Sequence, residues 1–122
     1  MVVDPSPKPV RWIGSSRRDL RALPESVRSR IGYALYVAQR GGKHRDATPL
    51  NGCGGASVVE IVADFDGDTF RAVYTVRRAG AVYLLHVFQK KSKAGRATPN
   101  PELTLIKQRL RESERIARRE AR

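Results

Sequence analysis

The stretch "VVEIVADFDGDTFRAVYTVRRAGAVYLLHVF", residues 58–88, contains three β-rich runs separated by Asp66-Gly67 and by Arg77 to Gly80. β-branched and aromatic side chains suit a pleated, half-buried surface, and Asp-Gly suits the two positive-φ positions of a tight hairpin turn. The stretch therefore predicts an antiparallel meander. A two-residue turn at Asp66-Gly67 pairs Phe65 with Asp68, Ala63 with Phe70, Ile61 with Ala72 and Val59 with Tyr74, leaving one face wholly apolar. The other face then carries Glu60, Val62 and Asp64 beside Arg71, Val73, Thr75 and Arg77, and burying it would strand charge.

In the third run the odd positions Ala81, Tyr83, Leu85 and Val87 are apolar, whereas the even ones end in His86, Phe88 and Lys90. The odd set is expected on the helix-covered face. A two-residue Ala79-Gly80 turn gives this parity, with Val73 opposite His86 and Arg71 opposite Phe88; a three-residue turn reverses it. Arg71, His86, Phe88 and Lys90 then share an open face, with Lys91 and Lys93 at its rim and the Lys43-His44-Arg45 loop leaning over it.

Upstream, Val10 to Ile13 reads as a short strand ended by Gly14, and Ser16-Arg-Arg-Asp19 resembles a capping box opening a helix. Pro24 opens a second helix, where Val27, Ile31, Ala34, Leu35 and Ala38 recur at helical spacing until Gly41-Gly42. Residues 43–57 show no period and read as a loop. Downstream, Asn100 and Pro101 open a third helix, striped by Leu103, Ile106 and Leu110. Its second half is so charged that it should fray or await a partner. The Pro-rich residues 1–9 read as a flexible arm.

The 122 residues suit one domain, and 24 Lys and Arg against 12 Asp and Glu leave a net charge of +12. Such a surface is built to meet an anion. The excess is uneven: residues 81–98 carry four basic side chains and no acidic one, whereas 47–80 carry three and four. No apolar run of about 18 residues predicts a membrane span. The lone cysteine, Cys53, suits a reducing cytoplasm. No Cys/His spacing suggests zinc, no acidic cluster suggests magnesium, and no Gly-rich phosphate loop follows a strand, so no cofactor is expected.

An aromatic ring among cations suits single-stranded nucleic acid, since bases stack on rings and phosphates meet Arg and Lys. With RNA, the 2′-hydroxyl can attack the adjacent phosphate if a base, a charge-holding cation and an acid are supplied. Arg71 suits the charge-holding role, because its fork fits phosphate oxygens. Lysine is a poor base unless like charges lower its pKa, and Lys90, Lys91, Lys93 and Arg71 crowd in that way; His86 or His44 could serve instead. Plainer readings stand beside these. Arg71 lies diagonal to Glu60 and could simply pair with it, His86 could be a satisfied strand residue, and the lysines could guard a sheet edge. Trp12, Tyr33, Tyr36, Tyr74 and Tyr83 read as packing.

The order of elements, with "EI" at 60–61, "RAVYTV" at 71–76 and "HVFQKKSKAGRATP" at 86–99, resembles the HigB-type, phage-derived branch of the RelE/ParE toxin superfamily. The last segment holds the family's F-x-K-K and T-P pattern. The resemblance implies an α+β, RelE-like fold, with N-terminal helices and a C-terminal helix packed on one face of a small, mainly antiparallel sheet. One toxin domain would span residues 10–111, followed by a basic helical tail over 112–122. It implies a type II toxin that cleaves messenger RNA on the ribosome without metal, in the cytoplasm. Its partner would be a helix-turn-helix antitoxin, and operator DNA would be met only through that antitoxin. Arg71 matches the family's sheet arginine, and Phe88, Lys90 and Lys91 match its terminal-strand motif. Lys43, His44, Arg45 and Lys93 are added here as RNA contacts, with His86 as a further catalytic candidate. A basic nucleic-acid-binding module or a ParE-like, gyrase-directed toxin remains the alternative.

Overall fold

The computed structural model describes residues 6–53, 57–77, 80–90 and 98–120. In chain order the elements are β1 (Val10–Trp12), α1 (Ser16–Arg21), α2 (Glu25–Gln39), β2 (Ala47–Pro49), β3 (Val58–Phe65), β4 (Asp68–Arg77), β5 (Ala81–Lys90) and α3 (Asn100–Glu120). They build an α+β fold around one five-stranded sheet of order β1-β5-β4-β3-β2. Only β1, against β5, runs parallel to its neighbour.

The β3–β4 hairpin has the expected register, from Phe65 opposite Asp68 to Val59 opposite Tyr74. Asp66 and Gly67 both take positive φ, 54° and 83°, which matches the strand twist and which Asp and Gly tolerate best. The sheet has one strand more than the sequence suggests. Ala47–Pro49 pairs with β3 at the sheet edge, where Pro49 removes no donor that an inner strand would need.

The second hairpin departs from both parities considered. Near its turn Arg77 pairs with Ala81, a three-residue connection, yet further along Val73 faces His86 and Arg71 faces Phe88. A β-bulge reconciles them, since the register shifts between Val73 and Tyr74 and leaves Leu85 as the extra residue. Strand β5 therefore exchanges faces partway along. Val82, Leu84 and Val87 pack with α1 and α2, whereas Ala81, Tyr83, Leu85 and Phe88 belong to the other face. The expectation that all the odd positions lie under the N-terminal helices is thus corrected for Ala81, Tyr83 and Leu85.

Helix α2 lays Val27, Ile31, Ala34, Leu35 and Ala38 on Ile61, Ala63, Phe70, Ala72 and Tyr74, with Leu20 of α1 completing this cluster. Helix α3 does not join α1 and α2 on that face. Its Ile106 is buried among Val58, Val73, Tyr83, Leu85 and Phe88 on the opposite face, with Leu103 and Leu110 beside it. The amphipathic stripe demanded burial, and the bulge supplied a second apolar surface to receive it.

The expected fraying of the last turns is also corrected. Ile116 and Ala117 pack on the second cluster, Ser113 is fully buried, and Glu120 reaches Arg11 at 3.2 Å and the Tyr83 hydroxyl at 3.4 Å. Lys8 and Pro9, read as part of a loose arm, are tied down as well. The Lys8 amide donates to the Gln39 carbonyl and Pro9 accepts from the Val82 amide, both at 2.9 Å.

Two variants test the placement of α3. Ile106→Ala should cost roughly 2–5 kcal/mol, as for other fully buried large-to-small changes, read from the urea midpoint. Ile116→Asp should leave the core transition nearly in place but open the last turns of α3 to limited proteolysis. A neutral Ile106→Ala result would be incompatible with α3 lying on the sheet.

Candidate functional site

The register sets Arg71 opposite Phe88, Val73 opposite His86 and Thr69 opposite Lys90. Alternation then puts Arg71, His86, Phe88 and Lys90 on one face of the sheet, as the sequence leads one to expect for this half of the hairpin. That face is not open. All four residues are only 6–9 % exposed, because α3 crosses over the surface expected to be bare. Lys91 and Lys93, expected at the rim, lie outside the described residues.

Burial of charge on this face is made tolerable by pairing. Arg71 Nη1 meets Glu60 Oε1 at 2.8 Å, the diagonal cross-strand pair that the sequence allowed. The Thr98 hydroxyl, just before α3, donates to the second oxygen, Glu60 Oε2, at 2.8 Å. The carboxylate is thus held from two sides, which a buried ion pair needs if it is to offset its desolvation.

His86 stacks on Phe88 with ring centroids 4.9 Å apart and planes 18° from parallel. Its two nitrogens face side chains of α3: Glu102 Oε1 lies 2.9 Å from Nε2, and Arg109 Nη1 lies 3.3 Å from Nδ1. A guanidinium only donates, so Nδ1 accepts from Arg109 and Nε2 carries the proton offered to Glu102. The same Arg109 nitrogen donates to the Leu85 carbonyl at 3.0 Å, at the bulge, and Nη2 donates to Ser15 Oγ at 3.1 Å. Gly14 makes room for this guanidinium, since a Cβ there would stand 2.8 Å from Arg109 Cζ. Glu102 and Arg109 were not singled out from sequence, because each reaches the sheet from a distant part of the chain, and Thr98 was noted only within the T-P pattern, with no contact assigned to it.

The loop carrying Lys43, His44 and Arg45 does not lean over this cluster. The His44 ring meets Tyr33 of α2 edge-on at 5.5 Å, and its Nδ1 accepts from the Asp46 amide at 3.1 Å, so the loop is held against α2 on the other side of the sheet. Its sequence position before β3 suggested proximity to the cluster; an aromatic contact within the N-terminal layer decided otherwise. Trp12, Tyr33 and Tyr36, read as packing, are exposed, whereas Tyr74 and Tyr83 are buried. Cys53 packs against the second cluster, where burial pushes its thiol pKa up, with Lys107 pulling the other way and Glu60 adding to the rise. This is the environment of an inert thiol rather than a nucleophile.

Chemically, the face gathers a forked cation, an imidazole, an aromatic ring and an ammonium, but in this arrangement Glu60 engages the guanidinium and α3 engages the imidazole. An incoming anion reaches Arg71 only by joining or replacing Glu60, and a ring extends the His86–Phe88 stack only if α3 yields. No described helix is long and apolar enough to cross a membrane.

Among solved structures, the chain is similar to a double arginine-to-alanine mutant of the E. coli toxin RelE in the free state. The match has 13% identity and a TM-score of 0.56, and covers 88% of this chain and 98% of that one. It is also similar to a chain of the RelBE2 toxin–antitoxin complex from Mycobacterium tuberculosis, at 20% identity and a TM-score of 0.48, covering 70% of this chain and 100% of that one. The likeness to RelE is one of fold, and agrees with the five-stranded α+β architecture. No curated protein matches the chain. A family model described as "Phage derived protein Gp49-like (DUF891)" matches residues 18–111. That span is most of the chain, which therefore belongs to the Gp49-like family of phage-derived proteins.

Proposed function

We propose that this protein is the toxin of a type II toxin–antitoxin pair, of the HigB-type branch, and a metal-independent endoribonuclease that cuts messenger RNA on the ribosome and so blocks translation. The observation that carries the reading is the grouping of Arg71, His86, Phe88 and Lys90 on one sheet face, in a chain of net charge +12. The RelE-like fold and the phage-derived family support it.

In this reading Arg71 holds the nonbridging phosphate oxygens while the 2′-hydroxyl attacks, because its fork fits them and it stays charged. Lys90 or Lys91 moves the proton, with His86 as the alternative carrier, and Phe88 places a base by stacking. Lys93 and the Lys43-His44-Arg45 loop add phosphate contacts along the RNA, the loop from the α2 side. The arrangement described above is the closed one. RNA displaces the first turns of α3 from the sheet, freeing His86 from Glu102 and Arg109, and phosphate takes over Arg71 from Glu60. The partner is a helix-turn-helix antitoxin, through which alone operator DNA is met; a neighbouring reading frame for such a protein is the simplest check.

A second reading follows from the mutual neutralisation of the cluster. Charges this well paired also suit a structural core, which would leave a basic binding module or a gyrase-directed toxin without nuclease activity. The double variant Lys90→Arg, Lys91→Arg separates the two, since charge and RNA affinity survive while proton transfer does not. Transcript cleavage after induction should fall by about 10²–10⁴-fold, the usual contribution of a proton-transfer group. Undiminished cleavage would reject lysine as the carrier, and absence of cleavage by the unaltered protein would favour the second reading.

Binding to RNA or ribosomes should also weaken by orders of magnitude between low and above-physiological salt, as expected when several phosphates are neutralised. A flat salt response would point to a protein target recognised through apolar contact.

A further inference from the structure

Beside the buried cluster the second face has an opening. A cavity of about 260 Å³ lies between the turn after β2 and the start of α3, with Leu50 and Leu103 as apolar lining, Thr48, Asn51 and Thr98 as polar lining, and Glu60 reached from it. It is a little smaller than the roughly 300–1,000 Å³ of pockets for drug-sized ligands, which suits a single planar ring system. Apolar surface for ring faces together with a few polar groups for ring edges is the composition of a base-binding slot.

Glu60 gives the slot its selectivity. Its Oε1 already accepts from Arg71 and its Oε2 from Thr98, each at 2.8 Å. A carboxylate oxygen accepts two hydrogen bonds, so each still has one to take, and the pair of them forms a two-point acceptor. Among the RNA bases only guanine offers two adjacent donors on its Watson–Crick edge, the ring N1–H and the exocyclic amino group. Adenine and cytosine set an acceptor beside their amino group, and uracil has one donor between two carbonyls.

The charge arrangement fits a nucleotide as well as a base. An isolated carboxylate would repel phosphate, but Arg71 sits against it and cancels its charge, so one ion pair presents an acceptor to the base and a cation within a nucleotide's reach. We infer that this cavity is a guanine-selective base subsite, in which Glu60 reads the base edge of a nucleotide whose phosphate lies toward Arg71. The inference rests on the proposed RNA substrate and specifies which base the site prefers. Because Thr98 and Leu103 line the slot only while α3 is docked, the base is read in the closed arrangement, before phosphate takes Arg71 from Glu60.

Equilibrium dialysis of the full-length protein against GMP, AMP, CMP and UMP at millimolar concentrations tests it without requiring a ribosome or catalysis. GMP should bind about tenfold tighter than the other three, the discrimination expected of one good two-point contact. Glu60→Gln should bring GMP down to the level of AMP, because an amide cannot present two acceptors. Should loss of the countercharge to Arg71 unfold that variant, Thr48→Trp, at an exposed edge position, fills the slot instead. It should abolish GMP binding while leaving the thermal transition in place. Equal binding of the four nucleotides, no measurable binding of any, or GMP binding untouched by Thr48→Trp would each overturn the subsite. Absence of transcript cleavage in cells with GMP selectivity intact would instead count against the nuclease reading alone.

Discussion

The ion pair between Glu60 and Arg71 governs what the second face of the sheet is able to do. Two charged groups, each with a side chain 7% exposed, face each other at 2.8 Å across neighbouring strands. Separately they would be intolerable there, and removing either partner of a buried pair typically costs about 3–5 kcal/mol. Together they let a basic, nominally polar face accept a helix. Thr98 gives the carboxylate its second donor and brings the chain to the start of α3, so the pair also sets where that helix begins to dock.

The second condition for docking is the bulge at Leu85. Without it β5 would keep one parity throughout, and Tyr83 and Leu85 could not share a face with His86, Phe88 and Lys90. The bulge thus gives one strand two jobs, an apolar half beneath the middle and end of α3 and a polar half beneath its first turns. Arg109 joins the halves by bonding the Leu85 carbonyl and His86 from α3. A helix held at its start mainly by polar contacts and further along by Ile106, Leu110 and Ile116 is best placed to open from the start.

Much of this was legible in the residues. Asp66-Gly67 fixed a hairpin register because that turn leaves little freedom, and the helical spacing of Val27 to Ala38 showed which stripe α2 buries. Arg71 beside Phe88 followed from counting along the strands. The bulge was not legible, because Tyr83-Leu84-Leu85 is apolar on either parity and no glycine or proline marks the slip. Strand β2 hid in Ala47-Thr48-Pro49, too short and too proline-marked to read as a strand. The stripe of α3 announced burial but not which side of the sheet would receive it. Once the helix crossed to the second face, the open cluster became a covered one, with Glu102 and Arg109 as unforeseen members.

In the function proposed above, the RNA-cutting groups lie beneath α3. Opening is the step on which the rest depends, and hydrogen exchange reads it directly. With ribosomes programmed with messenger RNA, amides at the start of α3, residues 100–105, should exchange faster than in the free protein, while those of β4 and β5 stay protected. Cleavage of the message with residues 100–105 as protected as before would contradict this arrangement, because Arg71 would then be doing its chemistry from beneath a helix that never moved.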